Sequence, residues 1–104
     1  MDTSTSSPSL PAQQFELVAK ALADPRRMAL LESIGSMREY PCSRLCEFFP
    51  VSKGTISHHM KELMRAGLIH ERKEGQYRHY EVRREVLAAY TAELMRRVAQ
   101  SSAR

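Results

Sequence analysis

The sequence predicts a mainly α-helical domain carrying one small β-hairpin. Three observations predict it. Apolar residues recur at helical spacing in successive segments from Phe15 to Val98. Helix starts and stops, among them Asp24-Pro25, Ser52 and Gly67, fall between those segments. Between Leu68 and Val82 the pattern turns into two extended, charged runs that divide at Glu74-Gly75.

A chain of 104 residues with 42% apolar content is enough for one domain with one modest core. Residues 1–11 are rich in Ser, Thr and Pro and are expected to form a flexible arm, with the folded domain over 12–101. The first helix starts near Gln13, with Phe15, Val18, Ala19 and Leu22 on one face. Asp24 caps a second helix that opens on Pro25, turns Met28, Leu31 and Ile34 inward, and stops at Gly35. A third helix is expected over 41–49, where Cys42, Leu45, Cys46 and Phe49 share a face, and Pro50 ends it. Ser52 caps a fourth helix running to about Ala66, with Ile56, Met60 and Leu63 inward and Gly67 as a left-handed terminator. The hairpin strands are expected over 68–73 and 76–82. A last helix from Arg84 carries Val86, Leu87, Tyr90, Leu94 and Val98.

The net charge of +4 is unevenly placed. Residues 51–84 hold Lys53, Lys61, Arg65, Arg72, Lys73, Arg78, Arg83 and Arg84 against Glu62, Glu71, Glu74 and Glu81. The rest of the chain is close to neutral, so one contiguous third is basic, and such a surface favours phosphate backbones. A solvated face with no partner explains the charge alone equally well. The pattern around it decides more. Only Pro50-Val51-Ser52 separates the third helix from the fourth, which is the spacing of a helix-turn-helix. The fourth helix offers Lys53, Thr55, Ser57, His58 and Lys61 on the face away from its apolar stripe, small polar and basic groups suited to a major groove. Gly54 lets the helix start approach a backbone closely, and free N–H groups there favour phosphate. The hairpin follows at once, with Arg72, Lys73, Gln76 and Arg78 placed as a wing that would reach phosphates or a narrow minor groove. Helix-turn-helix plus basic hairpin, in this order, is the winged helix-turn-helix arrangement.

The segments ALADPRRMALLESI and VSKGTISHHMKELMRAGLIHERKEGQYRHYEV resemble the ArsR/SmtB family of winged-helix regulators over roughly residues 13–98. The resemblance implies a homodimer joined by the first and last helices, and an operator-binding repressor released by an effector. The chain departs from the family in two places. His58 stands where the family often has Arg, and a neutral imidazole attracts phosphate less. Residues 84–104 contain neither His nor Asp, so the metal site that some members carry on the last helix is absent.

A dimer also follows from the last helix itself. Its apolar residues exceed what a terminal helix on so small a core buries alone, and large exposed apolar patches mark association sites. Phe15, Val18 and Leu22 of the first helix with Leu87, Tyr90, Leu94 and Val98 of the last are the expected interface. A two-fold dimer implies an inverted-repeat operator in double-stranded DNA, its half-sites about 34 Å apart.

Cys42 and Cys46 have three readings. They fall in the apolar periodicity of the third helix, and free Cys is among the most buried residue types, which favours simple packing. Spaced four apart, the two thiols could also hold a soft metal or metalloid, or sense redox state. The resemblance bears on this, because arsenic-sensing members carry a cysteine cluster here. Cys46 matches one of its positions, but Pro41 and Ser43 occupy the others. His59, three residues after Ile56, reads as a packed structural histidine, and His70 and His79 as structural or incidental. No resident cofactor is implied.

Neither a Gly-rich phosphate loop nor a nucleophile elbow is present, which argues against an enzyme. A winged helix devoted to protein contacts would replace Lys53, Thr55 and Lys61 with apolar or acidic groups. No apolar run approaches the ~20 residues of a membrane span, no secretory signal is visible, and two cysteines do not make a disulfide framework. A cytoplasmic protein is expected.

Overall fold

The structure, a computed structural model, describes residues 10–45 and 52–102. Helix α1 (Ala12–Ala23) is followed by α2 (Pro25–Gly35), strand β1 (Tyr40–Pro41), α3 (Lys53–Arg65), β2 (Ile69–Glu74), β3 (Tyr77–Val82) and α4 (Arg84–Ser102). The expected arm lies outside the described residues up to position 9, but Leu10 packs into the core.

Asp24 separates α1 from α2 as the sequence predicts. Its carboxylate accepts the N–H groups of Arg26 and Arg27 at 2.8 and 3.3 Å, filling donors that a helix start leaves open. On α2 the inward stripe is displaced from expectation. Leu30, Leu31 and Ile34 are buried, whereas Met28 is exposed. Arg27 takes the inward place in the first turn. Its Nε donates to the Ala21 carbonyl at 3.1 Å and its Nη2 to that of Lys20 at 3.3 Å, binding the last turn of α1.

Strand β1 was not expected. The sheet is antiparallel with order β1-β3-β2, and β1 pairs Tyr40 with Tyr80 and Pro41 with His79. Helix is therefore not entered at Pro41 but appears at Arg44 and Leu45. Pro41 lacks an N–H and is tolerated on an edge strand, while the next N–H, of Cys42, donates to the Arg78 carbonyl at 3.0 Å. Cys46, Phe49 and Pro50 lie outside the described residues.

The hairpin register runs from Ile69 opposite Val82 to Glu74 opposite Tyr77, so Gly75-Gln76 is a two-residue turn. Gly75 has φ +62°, which a side chain would disfavour. Gln76 thus sits in the turn and not in the strand. The end of α3 is equally defined. Gly67 has φ +80°, its N–H donates to the Met64 carbonyl, and the Leu68 N–H donates to that of Leu63, both at 3.0 Å. This is a Schellman closure, and it delivers Leu68 and Ile69 straight into the core. Gln14 of α1 locks the same corner by donating to the Ala66 carbonyl at 3.0 Å.

The core is a single cluster. Val18, Leu30, Ile34, Leu63, Leu68 and Ile69 are its largest fully buried side chains, and Ile56, Met60, Tyr40, Tyr80, Val86 and Ala89 are among those packed around them. No helix among the described residues is long and apolar enough to cross a membrane.

Candidate nucleic-acid interface

The start of α3 is fixed by Ser52, whose Oγ accepts the Thr55 N–H at 3.2 Å and lies 3.0 Å from Thr55 Oγ1. Thr55 is consequently half-buried and shares in the cap, less open to a groove than its position suggests. Beyond it the helix has two distinct faces. Ile56, His59, Met60 and Leu63 are buried. Gly54, Ser57, His58, Lys61 and Arg65 are exposed and follow one another at three- and four-residue steps, a continuous outer stripe. Lys53 opens the helix. Arg65 was not singled out from the sequence. It extends the stripe by one turn, with Glu62 3.8 Å away.

Strand alternation sorts the hairpin residues onto two faces. Glu71 and Lys73 lie on one face with their partners Tyr80 and Arg78, toward α3. Between this face and the helix runs a cleft of about 410 Å³ bordered by Met60, Lys61, Met64, Glu71, Arg78 and Tyr80. Arg72 lies on the opposite face beside His79.

Two of the wing cations are already engaged by acids. Arg78 Nε is 3.3 Å from Glu71 Oε2. Arg72 is hydrogen-bonded to Glu39, from the segment before β1, and is 3.9 Å from Glu74. The Arg72 guanidinium holds the Glu39 carboxyl below the usual carboxylate range. Lys73, exposed next to the turn, has no ion pair among the described residues. The Glu39 pairing is not expected from the sequence, because no local signal links a carboxylate to an arginine 33 residues away.

Behind the outer stripe His59 is buried, as its place beside Ile56 predicts. Arg27 Nη1 lies 3.4 Å from its Nδ1, which makes that nitrogen the acceptor and puts the ring proton on Nε2. Nε2 is buried and has no hydrogen-bond partner among the described residues. Burial holds the imidazole below its ordinary value of 6.5, opposed by the Asp24 charge and reinforced by Arg27, His58 and Arg26. The sign follows from linkage. Above pH 6.5 the ring is neutral folded or unfolded; as pH falls, the unfolded chain takes up the proton first, and stability is lost. Thermal midpoints measured from pH 8 to 5 should therefore fall less in His59→Gln than in the wild type. Equal slopes for the two proteins would remove His59 as the cause.

The expected interface residues occupy different depths. Val18 is fully buried within its own protomer. Phe15 is half-buried, its ring 4.9 Å from that of Tyr90 and 3.8 Å beneath the Arg97 guanidinium. Leu22 and Leu87 are half-buried against the core. Leu94 and Val98 are 39% and 59% exposed, and Met95, which was not anticipated, is 66% exposed. Glu93, on the same helix, is buried and accepts from Arg96 at 2.6 Å and Arg97 at 2.9 Å, and these bonds drive its carboxyl down to about 2. Cys42 is half-buried, with the Tyr80 hydroxyl donating to its Sγ at 4.0 Å. Burial pushes that phenol up to about 12, so it stays protonated.

The helix pair and hairpin have counterparts in known proteins. A family model described as a helix-turn-helix domain matches residues 22–72. The arsenical resistance operon repressor of Staphylococcus xylosus is 33% identical over 75 residues, covering 72% of this chain and 71% of that protein. Among solved structures, an ArsR-like transcriptional regulator from Rhodococcus sp. RHA1 superposes with a TM-score of 0.78 at 27% identity, over 86% of this chain and 84% of that one. A possible ArsR-family regulator from Mycobacterium bovis, described as a homodimeric winged helix-turn-helix DNA-binding domain, gives a TM-score of 0.65 at 25% identity, over 88% of this chain and 83% of that one.

Proposed function

Because the chain belongs to the ArsR family and is a DNA-binding transcriptional regulator of winged helix-turn-helix fold, we propose that it represses transcription as a two-fold dimer on an inverted-repeat operator, in the cytoplasm. The observation that carries this reading is the exposed stripe of α3, with Ser57, His58 and Lys61 facing outward beside the Lys73–Arg78 face of the hairpin. The stripe lies in the major groove and the hairpin follows the neighbouring backbone. The apolar side chains left open on α4 join two copies with Phe15 at their edge, an arrangement supported by the homodimeric Mycobacterium bovis neighbour. An unidentified signal lifts the repression.

Footprinting and salt titration test this. A dimer should protect two half-sites about 34 Å apart. If it neutralises about six phosphates, affinity should fall about a thousandfold between 50 and 200 mM salt. Lys73→Ala should weaken specific and random DNA alike, since wing cations meet the backbone. Ser57→Ala should instead shift base preference, a good base contact discriminating by about 1–3 kcal/mol. Salt-independent binding or a single protected half-site would defeat the proposal.

A further inference from the structure

The Arg72 side chain is held by its own protein. It is exposed on the outer face of the hairpin, and the carboxylate it meets comes from Glu39, on the connection between α2 and β1. Glu74 stands 3.9 Å away on the same face, and Glu81 adds to the field that keeps the guanidinium charged. Backbone placement keeps the two side chains within reach of each other. Tyr40, the residue after Glu39, is buried and paired with Tyr80, so β1 fixes Glu39 beside the hairpin. Three strands thereby set the spacing between an acid on the α2–β1 connection and a cation on β2.

We propose that Glu39 is an intramolecular stand-in for a DNA phosphate, so that the wing engages DNA by exchanging carboxylate for phosphate at Arg72. The geometry is that of an autoinhibitory contact. A carboxylate and a phosphate both accept from the guanidinium fork, and Arg72 cannot give its best donors to both at once. The wing therefore reaches DNA with Lys73 free and Arg72 occupied, and part of the attraction is cancelled before contact. The exchange limits binding to every sequence equally, because it involves no base. Its biological effect is to weaken binding by the same factor everywhere, so that random DNA is released readily while an operator engaged by both recognition helices is still held. The inference rests on the DNA-binding reading and adds to it a named residue that opposes binding.

The test is a double-mutant cycle on Glu39→Gln and Arg72→Ala, read as affinity for operator and for random duplex at fixed salt. Exposed pairs of this kind restrain a side chain weakly, so Glu39→Gln should raise affinity about two- to fivefold on both duplexes. Arg72→Ala should lower it, and adding Glu39→Gln to Arg72→Ala should give no further gain. Unchanged affinity in Glu39→Gln overturns the inference. An equal gain with and without Arg72 also overturns it, since the acid would then act only through its long-range field. Melting curves matched to the wild type confirm that all three variants are folded. Wild-type binding that falls with salt, without the expected cycle, overturns the stand-in role alone. Absence of any salt-sensitive DNA binding by the wild type overturns the DNA-binding reading as well.

Discussion

Leu94→Asp is expected to leave the protein monomeric and to lower operator affinity by about 10²–10⁴-fold, the range lost when two linked binding modules become independent. Leu94, Met95 and Val98 are 39%, 66% and 59% exposed on α4 among the described residues. In the proposed dimer these side chains would meet an equivalent apolar seam, and a carboxylate there would be desolvated without a partner. The substitution should spare the fold, because Leu94 is 39% exposed and lies outside the core cluster. Arg97, one turn along α4, could pair with the new acid and soften the effect, so Val98→Asp serves as a second variant one turn further out. Sedimentation at micromolar concentration reads the oligomeric state. A monomeric wild type would remove the interface, and a monomeric variant that bound operator at full affinity would separate dimerisation from DNA binding.

Leu63→Ala should destabilise the protein by about 2–5 kcal/mol, the usual range for emptying a buried leucine site. Leu63 is completely buried, and its carbonyl anchors the Schellman closure through the Leu68 N–H at 3.0 Å. The cavity would thus open where α3 turns into the sheet, the joint that sets the recognition stripe against the hairpin. The thermal midpoint should drop by about 10 °C or more. A loss below about 1 kcal/mol in denaturant titration would mean that the neighbours collapse into the space and that α3 is not seated as described.

Much of this arrangement is legible in the sequence because short-range chemistry determines it. Asp24 and Ser52 cap the helices they precede, and Gly67 and Gly75 take the positive φ values that their turns require. The apolar stripe of α3 falls on Ile56, Met60 and Leu63 as its spacing predicts. What escapes is long-range. Strand β1 is two residues, one of them proline, and exists only because β3 is there to pair with it. Met28 was placed inward on hydrophobicity, but the long side chain of Arg27 can bury its stem and still reach carbonyls at the end of α1. The pairing of Arg72 with Glu39 likewise depends on the folded sheet. The contact between the hydroxyls of Thr55 and Ser52 at 3.0 Å, which ties Thr55 to the cap, also depends on the folded helix start.

The two borders of the sheet bear on how copies of this protein can meet. A strand with an unpaired side is a template for further strands, and proteins that leave one open risk fibrous growth. Here one border is β1, only two residues long and interrupted by Pro41, which has no hydrogen to donate. The other is β2, whose sequence IHERKE places charge at four of six positions. An incoming chain would find a border too short on one side and too strongly ionised on the other. Strand addition is thereby disfavoured, which leaves the helices to carry the proposed dimer, and a two-fold contact of that kind closes at two copies.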